Sequence, residues 1–340
     1  MQFWHFAIFY YLLINLLAFL FYGIDKRKAE GGKWRIPEHT LIGFAQFGGG
    51  VGALLGMIVF HHKTRKNAFR ILVPLFLILH IVGICYFTYS NNHVVFNNYT
   101  YESSVNCRIV QLSDVHNMYP YWDKDGLADK VREQDPDYIV ITGDLIDSRH
   151  TDMDYAVYLA GELAKITDTY YVTGNHERRF SDEELDPFFN SREAAGVHVL
   201  INESVYLKDK DGKDFCLVGL DDCNLASPRA DELIETARAN TPEAPIVVLA
   251  HRPDYIVNYA NVHADLVLSG HYHGGQFIFG SINDGQGILA PKLTFFPEYT
   301  HGLKKVKRTT LITSRGIGNS VFPVRINNQP EIVVVDMVSR

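Results

Sequence analysis

Three long apolar stretches open the chain, and their flanks are basic. Phe3 to Tyr22 contains no Lys, Arg, Asp or Glu, and a helix of that length crosses a hydrocarbon core ~30 Å thick. No basic segment precedes it and no small-residue cleavage site follows, so it reads as a membrane span and not as a signal peptide. Asp25-Lys26-Arg27-Lys28 follows, in the manner of a cytoplasmic flank. The second stretch, Thr40 to Phe60, comes just after Pro37, a favoured first helical residue. Its middle holds Gly48, Gly49, Gly50 and Gly52. Each interior glycine costs a helix ~1 kcal/mol, so four of them predict a break, a tight helix contact or a re-entrant turn. The third stretch runs from Ile71 to Tyr89, and His61-His62-Lys63-Thr64-Arg65-Lys66 separates it from the second. If the middle segment crosses fully, the two basic loops fall on opposite faces. If it dips in and returns, both stay cytoplasmic and the third span exits. Ile71 to Cys107 lacks Lys and Arg, which suits an outer face. The reading is a helical membrane domain over 1–90 with two to three transmembrane segments, multi-pass in the cell membrane, with the rest of the chain extracytoplasmic.

Beyond it the pattern changes. Residues 91–106 are polar and Asn-rich and read as a linker. From 107 to 340, short β-branched runs alternate with helical periodicity. Runs at Arg108–Leu112, Tyr138–Thr142, Tyr170–Thr173, Phe215–Leu220, Ile246–Leu249, Leu266–Ser269, Thr310–Ser314 and Glu331–Val338 predict strands. Leu127–Glu133, Tyr155–Lys165, Asp182–Ala195 and Asp231–Ala239 predict helices between them. That alternation is an α/β domain.

Charge sharpens the division. Residues 1–90 hold nine Lys/Arg against three acids, a net of +6; with the whole chain at −7, residues 91–340 carry −13. An acidic domain excludes nucleic acid as the expected partner, because phosphate backbones need basic neutralisation. The four cysteines, Cys85, Cys107, Cys216 and Cys223, form no C-x-x-C pair. Cys216 and Cys223 read as buried thiols; a disulfide between them is the lesser alternative.

The polar residues that end the strands carry the chemistry. The first run ends Ser113-Asp114-Val115-His116, the second Gly143-Asp144-Leu145-Ile146-Asp147, the third Gly174-Asn175-His176-Glu177. Later runs end Ala250-His251-Arg252 and Gly270-His271-Tyr272-His273-Gly274. A lone Asp at a strand end is usually a turn or cap, and a lone His is usually structural. Here five of the ten histidines after residue 90 sit at strand ends, where open α/β sheets bind their ligands. Clustered carboxylates repel unless cations separate them, and mixed Asp, His and Asn donors suit Mn, Fe or Zn.

This series, D-x-H, G-D-x-x-D, G-N-H-E, H and G-H-x-H, resembles the calcineurin-like metallophosphoesterases. The resemblance covers roughly residues 105–340, and His271 to Gln276 (H-x-H-G-G-Q) is similar to their membrane-associated branch, which includes enzymes resembling UDP-diacylglucosamine pyrophosphatases. It implies a four-layer α-β-β-α sandwich and two divalent metal ions (Mn, Fe or Zn). Carried over by motif, Asp114, His116 and His273 look like ligands of the first metal and Asn175, His251 and His271 of the second. Asp144 looks like the bridge, His176 like the general acid and Asp147 like its orienting partner. The implied activity is hydrolysis of phosphodiester or pyrophosphate bonds by a metal-bridging hydroxide, on a lipid-linked or nucleotide-type substrate. The alternatives are a phosphomonoesterase, including a protein phosphatase, and a membrane interaction module with a secondary metal site. Tyr119, Tyr121 and Trp122, with Leu293 to Pro297, read either as a mouth for an acyl chain or base that also touches the bilayer, or as loop core. Ile14-Asn15-Leu16, Gly23 to Arg27, Arg35 to Glu38 and His62-Lys63-Thr64 resemble a small bacterial membrane domain of unknown function, over roughly residues 10–85.

Overall fold

The computed structural model describes residues 2–117, 126–149, 151–222, 228–281, 285–290, 293–319 and 324–339. The chain divides into two compact units, Met1–Tyr89 and Ser90–Arg340.

The first unit is helical: α1 (Gln2–Glu30), α2 (Glu38–Phe44), α3 (Gly50–Val59) and the start of α4 (Asn67–Asn92). By length and apolarity His5–Glu30, Glu38–Val59 and Asn67–Asn92 could each cross a membrane. The middle one does not run straight. Phe47 and Gly48 leave helical geometry, Gly48 at φ 105°, a conformation glycine adopts without strain. A straight 22-residue helix would hold its ends ~33 Å apart, yet Glu38 at its start bonds Lys63 Nζ (2.7 Å) and Lys66, both past its end. The segment is therefore a hairpin whose two ends lie together. Asn15 of α1 holds its tip, donating to Gly48 O (2.9 Å) and accepting from Gly52 N–H (2.8 Å). A Cβ on Gly52 would lie 1.9 Å from Asn15 O, so this contact requires glycine. Asn15 precedes Asp25, which meets both hairpin ends, by ten residues; that is ~15 Å of helix, half a hydrocarbon core.

The second unit has two six-stranded sheets. One runs β1 (Val95–Ser103), β16 (Glu331–Ser339), β2 (Cys107–Leu112), β3 (Tyr138–Thr142), β4 (Thr169–Val172), β5 (Val197–Val199). The other runs β14 (Gly302–Val306), β15 (Thr309–Thr313), β9 (Leu266–Ser269), β8 (Ile246–Leu249), β7 (Asp214–Gly219), β6 (Glu203–Lys208). Strands β2 to β5 pair in parallel, as do β7, β8, β9 and β15. Their continuous burial follows from being covered on both faces. Ile109, Val140, Val172, Leu217, Val247, Leu268 and Val333 fill the space between the sheets. The outer face of the first sheet carries α5 (Gly126–Arg132), α6 (Met153–Ala164) and α7 (Asp182–Ala194). That of the second carries α8 (Pro228–Asn240) and α9 (Ile256–Asn261). The result is an α-β-β-α sandwich. Asp152 caps α6 through Tyr155 N–H (2.9 Å), and Ser181 with Glu184 forms a capping box on α7. Two small pairs, β10 (Ile278–Phe279) with β11 (Gln286–Gly287) and β12 (Leu289–Ala290) with β13 (Thr294–Phe295), form an excursion after β9.

One expectation fails. Residues 91–106 are not a linker throughout: Val95–Ser103 is an edge strand paired in parallel with Glu331–Ser339. From Asn97 on its side chains alternate between half-buried and exposed: Asn98 faces outward, whereas Asn97 donates to the buried Glu331. Cys107 and Cys216 are buried free thiols; Cys223 lies outside the described residues, as do Tyr119, Tyr121 and Trp122.

Candidate metal centre

The ends of β2, β3, β4, β8 and β9 converge. Backbone bonds lock the loops to one another: Asp114 N–H donates to Gly143 O, His116 N–H to Asp144 O, and Gly318 N–H to Asp114 O (2.7–3.1 Å). Asp114, His116, Asp144, His271 and His273 all sit at positive φ, between 47° and 75°. Such strain in non-glycine residues persists only where surroundings enforce it, and it collects at functional sites. The close approach extends to Gly270, where a Cβ would lie 1.9 Å from Ser113 Oγ and 2.3 Å from Asp114 Oδ2.

The buried side chains form three overlapping groups, each with its ligand atoms within 4.8 Å of one another: Asp114–His116–His273, His116–Asp144–His176 and Asp144–His251–His271. Asp144 Oδ2 lies 3.8 Å from His116 Nε2 and 3.3 Å from His251 Nε2. Asp114 Oδ1 lies 4.0 Å from His116 Nε2 and 3.5 Å from His273 Nε2. Asn175 Oδ1 faces His251 Nε2 at 3.3 Å. All seven expected ligands are thus brought together.

Backbone carbonyls fix the ring orientations. His251 Nδ1 donates to Thr142 O (2.9 Å) and His273 Nδ1 to Gly318 O (3.2 Å), which turns the Nε2 lone pair of each ring inward. His251 Nε2 then faces His271 Nδ1 at 3.2 Å, along with a carboxylate and an amide oxygen. His273 Nε2 faces His116 Nε2 at 3.2 Å, and His116 Nδ1 is buried without a hydrogen-bond partner among the described residues. Lone pairs converge on lone pairs with too few protons to share, the condition a cation relieves. The donor set of carboxylate, imidazole and amide oxygen fits a borderline divalent ion.

The electrostatics agree. Burial lowers His116 to about 3 against the pull of Asp144. Burial also opposes the charged form of His251, but Asp144 outweighs it and raises the ring to about 10. In both rings the Asp144 and Asp114 carboxylates favour the charged form and burial opposes it.

His176 is arranged differently. Its Nδ1 accepts the Ser148 N–H (3.1 Å) and lies 3.1 Å from Asp147 Oδ1. The Asp147 carboxylate accepts from Nδ1 when the ring is doubly protonated, the form able to give up its Nε2 proton. Burial works against the Asp147 charge, but His176 and Arg149 N–H hydrogen bonds bring its carboxyl down to about 2.

Supporting residues went unassigned in the sequence. Glu177 is fully buried and accepts the backbone N–H groups of Asp144 (2.9 Å), Ile146 (3.1 Å) and Gly174 (2.8 Å), tying two ligand loops together. Burial, then the charge of Asp144, raises its pKa. Its place in G-N-H-E was the available signal. Buried Arg325 donates to Gly318 O and Arg315 O, and its Nη2 lies 3.4 Å from His273 Nδ1; no motif marked it. Tyr272 turns outward to hydrogen-bond Asp254.

Comparison with known proteins agrees with this geometry. Residues 107–275 match the calcineurin-like phosphoesterase family, and residues 15–69 match a family of proteins of unknown function (DUF1294). A Bos taurus "transmembrane protein with metallophosphoesterase domain" is 32% identical over 240 residues, covering 66% of this chain and 51% of its own. An Aquifex aeolicus "uncharacterized metallophosphoesterase" is 28% identical, covering 67% and 84%. "Phosphodiesterase YaeI" of Escherichia coli is 28% identical over 211 residues, covering 61% and 72%. The chain spans about half the length of the bovine relative. With seven ligand-type side chains on five strand ends and this match over 107–275, the chain carries a calcineurin-like metallophosphoesterase domain behind an N-terminal domain of the unknown-function family.

Proposed function

We propose that this protein is a membrane-anchored, metal-dependent phosphoric ester hydrolase that cleaves phosphodiester or pyrophosphate bonds of a lipid-linked or nucleotide-type substrate. The observation that carries the reading is the pair of buried triplets at either end of the site, Asp114–His116–His273 and Asp144–His251–His271, with Asp144 reaching both sides. Asp114, His116 and His273 would hold one divalent ion and Asn175, His251 and His271 the other, with the Asp144 carboxylate available to both. When bound, such ions polarise the phosphoryl oxygens, offset the developing charge and activate the attacking water. The chain's own groups do the rest. The positive-φ loops hold the ligand atoms in place before substrate arrives. His176 presents an Nε2 proton to the leaving oxygen, and Asp147 stabilises the ring when it is charged. Diester preference is supported by the printed name of the E. coli relative.

The catalytic unit lies on the extracytoplasmic face. The hairpin returns both basic loops to one end of the first unit, and Lys/Arg-rich loops stay cytoplasmic. Reporter fusions after Tyr89 test this: periplasm-active reporters should be the active ones. For the activity, the full chain in detergent with Mn, Fe or Zn is expected to hydrolyse bis(p-nitrophenyl) phosphate faster than p-nitrophenyl phosphate. A reversed preference makes it a monoesterase.

A further inference from the structure

Loop tips are normally polar, but the excursion after the metal motif is not. Phe279, Leu293, Phe295 and Phe296 are 76%, 73%, 65% and 64% exposed. Leu293 and Phe296 hold positive φ (59° and 53°), so strained backbone is spent on presenting apolar side chains to the outside. The excursion is rooted at the site: Ile288 N–H donates to Gly275 O (3.2 Å), beside His273.

A second observation says what covers it. The chain enters this unit from α4, and only two residues separate Asn92 from the start of β1 at Val95. Asn91, in the last turn of α4, clasps the backbone of Arg325: it accepts from Arg325 N–H (2.7 Å) and donates to Arg325 O (3.2 Å). The next residue, Ile326, bonds the base of the excursion, donating to Gln276 O (3.2 Å) and accepting from Ile278 N–H (3.1 Å). Arg325 itself reaches toward His273. The end of a membrane-crossing helix, the root of the apolar excursion and the wall of the metal centre are therefore fastened to one two-residue segment.

We propose that the described parts of the excursion, residues 276–281, 285–290 and 293–300, form a lipid-docking rim: the apolar tip enters the bilayer that α4 crosses and seats the metal-centre end of the domain on the lipid surface. The substrate is then a phosphoester carried on a lipid, its phosphate held at the interface where the strand ends open. The docking follows from exposure and tether; the substrate class rests on the phosphoesterase reading above.

The test uses the full chain in phosphatidylethanolamine–phosphatidylglycerol nanodiscs. Phe296→Trp adds fluorescence that lipids brominated near the headgroup should quench, whereas the increment from Tyr206→Trp, on β6 at the far sheet edge, should not be quenched. Separately, Phe279→Ser/Phe295→Ser/Phe296→Ser is expected to hydrolyse soluble bis(p-nitrophenyl) phosphate within about twofold of the unaltered chain. It should lose about tenfold on a diacylglycerol p-nitrophenyl phosphodiester in the same nanodiscs. A Phe296→Trp increment quenched no more than that of Tyr206→Trp, or a triple variant with full activity on the lipid substrate, overturns the proposal. Quenching needs no turnover, so an inactive parent chain would count against the phosphoesterase reading alone.

Discussion

Both units bury a cluster of charged and titratable groups, and the two clusters are wired in opposite ways. In the membrane unit, opposite faces opposite. Asp25 accepts from Arg35 (3.0 Å), Ile36 N–H (2.8 Å) and His62 (2.7 Å), with Lys63 at 3.7 Å, and Glu38 takes Lys63 and Lys66. That network is closed upon itself and clamps the mouth of the hairpin. At the strand ends of the phosphoesterase unit, like faces like: imidazole nitrogens meet at 3.2 Å, and carboxylates point at ring lone pairs. A cluster in which each carboxylate already has its cations holds a shape, whereas one whose acceptors face one another is shaped to hold something else.

Substitutions can break that contrast at several depths. The largest effect is expected from Asp144→Asn, which removes the one carboxylate shared by both sides of the site; turnover of bis(p-nitrophenyl) phosphate should fall on the order of 10⁴-fold, measured with saturating metal. His176→Ala should retain metal but lose about 10²–10³-fold. Its loss should grow with the basicity of the leaving group across a series of aryl diesters, since a good leaving group needs no proton. Glu177→Gln sets an amide N–H against one of three backbone N–H donors. Metal affinity should drop about 10–100-fold and stability by about 1–3 kcal/mol, read by metal titration and thermal melting. In the membrane unit, Asp25→Ala leaves Arg35, His62 and Lys63 facing one another. It should lower the melting temperature of the detergent-solubilised chain while leaving soluble-diester hydrolysis within about twofold. A large activity loss there would mean that the two clusters are not independent.

The same contrast explains what the sequence could be made to say. The clustering of strand-end side chains was legible because short apolar runs stop at polar residues whose types share one chemistry, as in Leu112 to His116 and Ser269 to His273. The break in the second apolar stretch was legible, since Gly48 to Gly52 marks it, but not its direction; only Glu38 meeting Lys63 shows that the segment turns back. The strand Val95–Ser103 was not legible: its Asn-rich pattern lacks a buried face, and its partner lies more than 200 residues away. Nor were the groups that orient the imidazoles, because Thr142 O, Gly318 O and Ser148 N–H are backbone atoms that no residue type announces. Glu177 stood in plain view within a motif, but its role depends on three N–H groups that only the fold aligns.

Metal content and turnover measured on one preparation test the proposed dinuclear centre most directly. The full chain, stripped by a chelator and reloaded with Mn, Fe or Zn, is expected to bind about two ions per chain. It should hydrolyse phosphodiesters only when loaded. A chain that takes up no metal at the strand ends, or one that turns over equally well when stripped, would contradict it.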